Sequence, residues 1–288
     1  MLTSNRNLQY LLAISEHLHF SNAAKACFVS QSTLSAGIKN LEHSLNVKLV
    51  ERNNKSVLLT PIGQKVAKQA QVVIFAIQDL TKISNTSFFD CKIKIGVIPT
   101  IAPYLLTKFI STIKNKHPNL EIIINEDTSE NLLPKVAQMQ LDFAIFAFPF
   151  EEVENINQHR VFEDELYLVK HKKWHKGTGK GSLLLLNQGH CLRTHILDNA
   201  AIHQHQISEY LCSDLATLTL MINMQIGVGY LPKIAIENGI LDNYPNLIID
   251  KNQLELSRHI GVIYRKKHPH RDAIVALSDY LRPLHKDE

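Results

Sequence analysis

Residues 20–42 read Phe-Ser-Asn-Ala-Ala-Lys-Ala-Cys-Phe-Val-Ser-Gln-Ser-Thr-Leu-Ser-Ala-Gly-Ile-Lys-Asn-Leu-Glu, and they constrain this 288-residue chain more than any other stretch. Before them, Leu8, Leu11, Leu12 and Ser15 recur at helical spacing and predict a helix over 5–17. Ser21 is the expected N-cap of a second helix, in which Ala23 and Ala24 are small enough for a close crossing. Phe28-Val29 makes a tight turn and Ser30 caps a third helix. There Leu34, Ile38, Leu41 and Leu45 share one face. Ser32, Ala36, Lys39 and His43 lie opposite, with Thr33 and Ser35 on the flanks. A helix so polar and small on one side can approach base edges, and Lys39 can meet a phosphate. The candidate DNA contacts are Ser30, Gln31, Ser32, Thr33, Ser35 and Lys39.

Lys48–Arg52 and Ser56–Thr60 then read as two strands around Asn53-Asn54-Lys55, a wing that presents Arg52 and Lys55 to the DNA backbone or a minor groove. Charge agrees with this placement. Residues 1–87 hold nine Lys/Arg against four acidic residues, whereas the remainder holds 22 against 23. A basic first third on a neutral body suits a nucleic-acid-binding module fused to something else. The alternative is a three-helix core with a solvated basic face. Pro61 opens a further helix. Along it Val66, Ala70, Val73, Ile77 and Leu80 form a heptad seam, which predicts a dimer helix over 61–84 behind a winged helix-turn-helix over 1–60. The competing reading packs that helix on its own domain.

Residues 85–91 read as a hinge, and 92–288 alternate strand and helix. Strands are expected at 92–98, 121–125, 142–148, 161–162, 166–170, 183–186, 207–212, 227–231 and 259–264. Helices are expected at 104–117, 132–140, from 214, and at 271–284. The fold class is therefore α+β in the first part and α/β in the second. The second part resembles a two-lobed periplasmic-binding-protein fold, in which ligands sit between the lobes. Gly177–Gly181 follows no strand and is read as a loop rather than a phosphate cradle. Cys27, Cys91, Cys191 and Cys212 are too widely spaced for a zinc ribbon or a CxxC pair, and the fifteen histidines show no zinc spacing. No metal or cofactor is expected. No apolar run approaches bilayer length and no signal core follows Met1, so a cytoplasmic protein is expected.

Ala23-Ala24, Val29-Ser30-Gln31, Leu34-Ser35, Ile38, Leu41-Glu42, Leu45, Leu49, Glu51-Arg52 and Thr60-Pro61-Gly63 keep fixed spacings over some sixty residues. This pattern resembles the LysR-type transcriptional regulators. Ser32 departs from it, since the family usually has proline there. The resemblance implies a two-lobed effector domain after the linker helix, double-stranded promoter DNA and RNA polymerase as partners, and assembly as a homodimer or homotetramer.

Gly189-His190-Cys191-Leu192-Arg193 follows an apolar strand. A thiol at a helix start meets the positive end of the helix dipole, and His190 and Arg193 add donors or charge. All three effects favour thiolate, the form that attacks peroxides and disulfides. The alternative is a small residue filling a strand–helix junction. Thr100, in Gly96–Leu106, faces the same cleft in this reading. Both segments, with Ile260–Arg265 and Thr217-Leu218, resemble the peroxide-sensing OxyR subgroup. The resemblance implies that Cys191 is the peroxidatic thiol, that Thr100 helps hold peroxide, and that Arg193 stabilises the reacting state beside His190. Ser129, or its neighbour Thr128, supplies a second hydroxyl. Two departures matter. Thr194 replaces a common acidic residue, and Ala200 stands where the subgroup has its resolving cysteine. Three outcomes stay open: Cys191 stops at sulfenic acid or a mixed disulfide, it pairs with Cys212, or peroxide sensing is lost. In the last case the regulator answers a small metabolite in the cleft or is constitutive. A stand-alone thiol peroxidase is the reading from another class, and Ala200 and the DNA module argue against it.

Overall fold

The computed structural model describes residues 4–52, 57–84, 88–150, 153–174, 182–199, 206–250 and 256–282. Two compact units divide between Asn85 and Thr86.

The first unit is built on α1 (Asn5–His17), α2 (Phe20–Ala26) and α3 (Gln31–Leu45), then β1 (Val50–Arg52), β2 (Val57–Leu59) and α4 (Pro61–Ser84). Leu8, Leu11, Ile14, Ala23, Ala24, Leu34, Ile38 and Leu41 bury one face of each of the three short helices into a single core. Gly37 lets α3 lie against α1, because a Cβ there would stand 2.5 Å from the Tyr10 ring. β1 and β2 pair antiparallel, Val50 opposite Leu59. Four expectations change. α2 begins two residues earlier, and its cap is His19, whose ring accepts from the Ser21 amide at 3.2 Å, so Ser21 lies inside the helix. Leu45, in the last turn of α3, is exposed rather than buried. Lys55 falls outside the described residues, as does the side chain of Arg52. The seam of α4 divides: Ala70 is buried and Val66 half-buried against the core of the same unit, alongside Ala67 and Ile74, while Val73, Ile77 and Leu80 remain exposed. Seven residues of an α-helix fall about 20° short of two full turns, so a heptad seam drifts around the helix. Its first turns are therefore claimed by α1 and its later ones are not.

In the second unit a sheet runs in the order β4-β3-β5-β11-β6-β9-β7-β8, with β10 also on β6. The elements are β3 (Lys92–Val97), α5 (Ala102–Lys116), β4 (Glu121–Glu126), α6 (Ser129–Ala137) and β5 (Phe143–Phe148). They continue with β6 (Ile156–His171), β7 (Ser182–Leu186), α7 (Cys191–Leu197), β8 (Gln206–Cys212) and α8 (Leu215–Asn223). β9 (Gly227–Pro232), α9 (Lys233–Glu237), β10 (Leu247–Ile249), β11 (Leu256–Arg265) and α10 (Arg271–Ser278) complete it. β3, β4 and β5 are parallel and feed the first lobe, whereas β7, β8 and β9 are parallel and feed the second. Separate apolar clusters fill the lobes.

The two lobes are joined by the antiparallel pair β6 and β11. β6 is one sixteen-residue strand where two short ones were expected, and its far end pairs with β9 and β10. β11 begins three residues earlier than expected. The short α9 and β10 were not foreseen. The expected hinge is shorter too: Phe88–Asp90 form a single helical turn, and Phe88 and Cys91 are buried.

Candidate functional site

The N-terminal end of α3, which carries the candidate DNA contacts, is held by hydroxyls. Ser30 Oγ accepts from the Thr33 amide at 3.1 Å and lies 2.8 Å from both Ser32 Oγ and Thr33 Oγ1. Ser21 Oγ donates to Gln31 Oε1 at 2.7 Å, which fixes the first side chain of the helix. Ser30, Gln31, Ser32, Thr33 and Lys39 are exposed on one side, and Ser35 is half-buried at its flank. Ser32 thus joins a hydroxyl network at the position where a proline would only preset the backbone. Two further residues, quoted above only as part of the spacing pattern, hold the module together. Glu42 Oε1 accepts from the Leu49 and Val50 amides at 2.8 and 3.1 Å, tying α3 to the wing. Thr60 Oγ1 donates to Lys48 O at 2.7 Å and accepts from the Gly63 amide at 2.9 Å, so it caps α4.

The thiol site lies in the second unit, where the lobes meet. Cys191 opens α7 and is buried. The preceding Gly189 has φ +89°, a conformation that favours glycine, and a Cβ there would meet Glu130 Oε2 at 3.0 Å. Its carbonyl accepts from Ser129 Oγ at 2.8 Å and from the Glu130 amide at 3.3 Å, which joins the α7 loop to the start of α6. The Ser129 hydroxyl is also close enough to the Cys191 thiol to favour its anion. Thr100 is buried, and its Oγ1 accepts from Arg258 Nη1 at 2.9 Å.

Arg258 organises this site and was not anticipated. It lies opposite Asp164 in the β6–β11 ladder, and both side chains are closed to solvent, 0% and 1% exposed. Its Nε and Nη2 stand 3.0 and 2.9 Å from Asp164 Oδ2, and Nη2 reaches Thr100 O at 3.4 Å. Asp164 Oδ1 accepts from the Ile234 amide at the head of α9, at 3.0 Å. Strand parity was a usable signal. Leu256, Arg258 and Ile260 alternate inward on β11, as do Asp164 and Leu166 on β6. Opposite charges on facing inward positions must pair once buried.

Electrostatics at Cys191 differ from expectation. Burial pushes the thiol up, and it outweighs the Arg258 charge, the Ser129 hydroxyl and the amides of Leu192 and Cys191, which all act downward. Arg193 donates from Nη1 to Leu186 O at 3.0 Å, fastening α7 to β7, and the cationic influence on the thiol comes from Arg258. His190 is buried too, and burial depresses its pKa, with Asp214 opposing. It is therefore a neutral neighbour at neutral pH. Cys212 ends β8 in the second lobe's core, with its Sγ 3.4 Å from Met221 Sδ. Burial first, and Asp214 second, raise its pKa to about 11. Cys191 packs with the first lobe's core, and all four cysteines are free thiols. The structure thus gathers Cys191, Ser129, Thr100 and Arg258, with His190 just ahead of the thiol, while Cys212 ends the strand beside β7 and packs in the second lobe's core. Among the described residues no group of three or more His, Cys, Asp or Glu side chains could hold a metal ion, and no helix is long and apolar enough to cross a membrane.

Comparison with known proteins agrees with both halves. Residues 5–64 match the bacterial regulatory helix-turn-helix protein, lysR family, and residues 91–285 match the LysR substrate binding domain. The chain is 34% identical to the HTH-type transcriptional regulator EstR of Acinetobacter baylyi, covering 98% of this chain and 97% of that one. It is 30% identical to the DNA-binding transcriptional dual regulator OxyR of Escherichia coli K12, over 96% and 94%. A full-length cysteine-to-aspartate variant of OxyR from Pseudomonas aeruginosa superposes with a TM-score of 0.74 at 28% identity, over 98% and 95%. The reduced regulatory domain of OxyR2 from Vibrio vulnificus gives 0.62 at 27%, over 68% and 97%. With its helix-turn-helix module, its two-lobed domain and these relatives, the chain belongs to the LysR family and is a transcriptional regulator of the OxyR kind.

Proposed function

We propose that this regulator reads peroxide through Cys191 and signals as a sulfenic acid or a mixed disulfide with a small thiol. The observation that carries this is the convergence on one buried thiol of Ser129 and the Arg258 charge, with Thr100 bonded to that same guanidinium. In the reacting step the Cys191 thiolate attacks one peroxide oxygen and the O–O bond breaks. The departing hydroxide takes a proton to leave as water. Sulfur is oxidised to sulfenic acid as peroxide is reduced. Arg258 favours the anion that begins the step, and the Ser129 and Thr100 hydroxyls are suited to orient a small polar oxidant. With alanine at position 200 and the Cys212 thiol donating to Met221 Sδ within the second lobe's core, an intramolecular disulfide is not part of this reading.

The chain acts on double-stranded promoter DNA with RNA polymerase as its partner in output. It assembles as a homodimer through the exposed turns of α4 that carry Val73, Ile77 and Leu80, and as a homotetramer on DNA. Intact-mass analysis after peroxide treatment tests the redox reading: Cys191 gains one oxygen or a small-thiol adduct faster than Cys27. Equal rates would overturn it.

A second reading has its own support. Burial holds the Cys191 thiol up, and the EstR relative is named only as a transcriptional regulator. In that case a small metabolite occupies the cleft and Cys191 lines it. A Cys191→Ser variant whose promoter output under peroxide matches that of the parent selects this second reading.

A further inference from the structure

The turn between α2 and α3 carries a residue that folding does not explain. The Cys27 amide donates to Ala23 O at 3.0 Å, Phe28 to Lys25 O at 3.1 Å and Val29 to Ala24 O at 3.0 Å. The last two bonds make a Schellman ending, which places the residue after the cap in the left-handed region and usually fills it with glycine or asparagine. Here that residue is Phe28, with φ +54°. A bulky side chain is strained in this conformation. The usual compensation would be burial of the ring, yet Phe28 is 96% exposed. Val29, by contrast, packs against the core of the unit. The sequence thus places an aromatic ring where the backbone disfavours it and where it gains no packing.

Its surroundings point to an occupant. Phe28 is two residues ahead of Ser30, the cap of α3, and three ahead of Gln31, both exposed at the DNA-reading end. Polar hydroxyls and one amide fill that end, and Phe28 is the exposed large apolar side chain beside them in the chain. Thymine presents a methyl group in the major groove, and phenylalanine is among the side chains that read it by apolar contact. We infer that Phe28 is a DNA-reading residue that extends the interface of α3 by an apolar contact with a thymine methyl. This rests on α3 entering the major groove.

The test uses the full chain and double-stranded DNA selected by it from a random-sequence pool. Phe28→Asn removes the ring and suits the left-handed backbone, so the melting temperature is unchanged or raised by about 2–4 °C. Affinity for the selected DNA falls about tenfold, within the range for loss of one base contact. Phe28→Tyr retains affinity. Replacing thymines one at a time with deoxyuridine, which lacks only the methyl, weakens the parent protein at one position per half-site. Phe28→Asn is insensitive to the same replacement, so the two losses are not additive. Full affinity of Phe28→Asn overturns the inference, as does a loss that no deoxyuridine position shares. Intact DNA affinity with lost transcription by added RNA polymerase overturns it too, in favour of a protein contact. A parallel Gln31→Ala variant that binds with full affinity would instead show that the groove reading of α3 is at fault.

Discussion

Arg258→Met is the perturbation that probes the thiol site most directly. The substitution deletes a guanidinium that makes two contacts with Asp164 Oδ2, at 3.0 and 2.9 Å, and one with Thr100 Oγ1 at 2.9 Å. Among the described residues Asp164 then keeps the hydrogen bond from the Ile234 amide and no cation. Removing one partner of a buried pair costs about 3–5 kcal/mol, because the remaining charge stays uncompensated. Loss of the donor to Thr100 adds about 1 kcal/mol. The expected destabilisation is therefore about 4–6 kcal/mol, enough to unfold a marginal domain. Urea unfolding followed by fluorescence measures it in the correct unit, since the chain's one tryptophan, Trp174, packs against the second lobe's core. The companion Arg258→Met/Asp164→Asn removes the charge yet keeps an acceptor for Ile234. It should recover most of the loss, with a coupling of about 2 kcal/mol or more across the cycle. A single-variant cost below about 1 kcal/mol, or an additive cycle, would refute the claim that this pair is closed to solvent.

Other consequences follow from the same geometry. Burial raises the Cys191 thiol and holds that of Cys212 at about 11, so both folded pKa values exceed the unfolded one. The resulting stability is complete below the unfolded thiol pKa, about 8.5, and is lost as pH rises through the folded values. Alkaline titration of urea midpoints should show this decline, and Cys212→Ala should flatten it; an unchanged slope would count against it. Alkylation of Cys191 by iodoacetamide should accelerate about tenfold per pH unit through the neutral range, and more slowly at every pH in Arg258→Met if that variant remains folded. A pH-independent rate would mean that the thiol is already ionised. Gly37→Ala drives a methyl to within 2.5 Å of the buried Tyr10 ring and should cost about 1–3 kcal/mol, read as a lower midpoint of the first unit by circular dichroism. Leu80→Glu, at a position 65% exposed on α4, should lower the assembled mass in light scattering without changing helicity, and an unchanged mass would remove this face from the dimer seam.

What could be read in advance follows from the range of the forces involved. Helical periodicity located α1, α3 and α4, and the Ser30 cap lies three residues from the amide it serves. Cys191, His190, Thr100 and Ser129 sit in short segments whose chemistry is local. The strands around Arg258 were harder. Asp164 was left between two short runs, and Arg258 fell just before an apolar one, because a charge in a strand reads as an end to it. Only the partner strand reverses that inference.

The amino-acid sequence by itself determined the DNA-reading module, its basic character and the alternation of strand and helix, since caps, turns and apolar spacing act over a few residues. Tertiary structure decided the state of the thiol. Ninety-four residues separate Asp164 from Arg258, and the β6–β11 ladder makes them a buried pair beneath Thr100. Burial, which no local pattern reports, outweighs the Arg258 charge, the Ser129 hydroxyl and the amides at the start of α7.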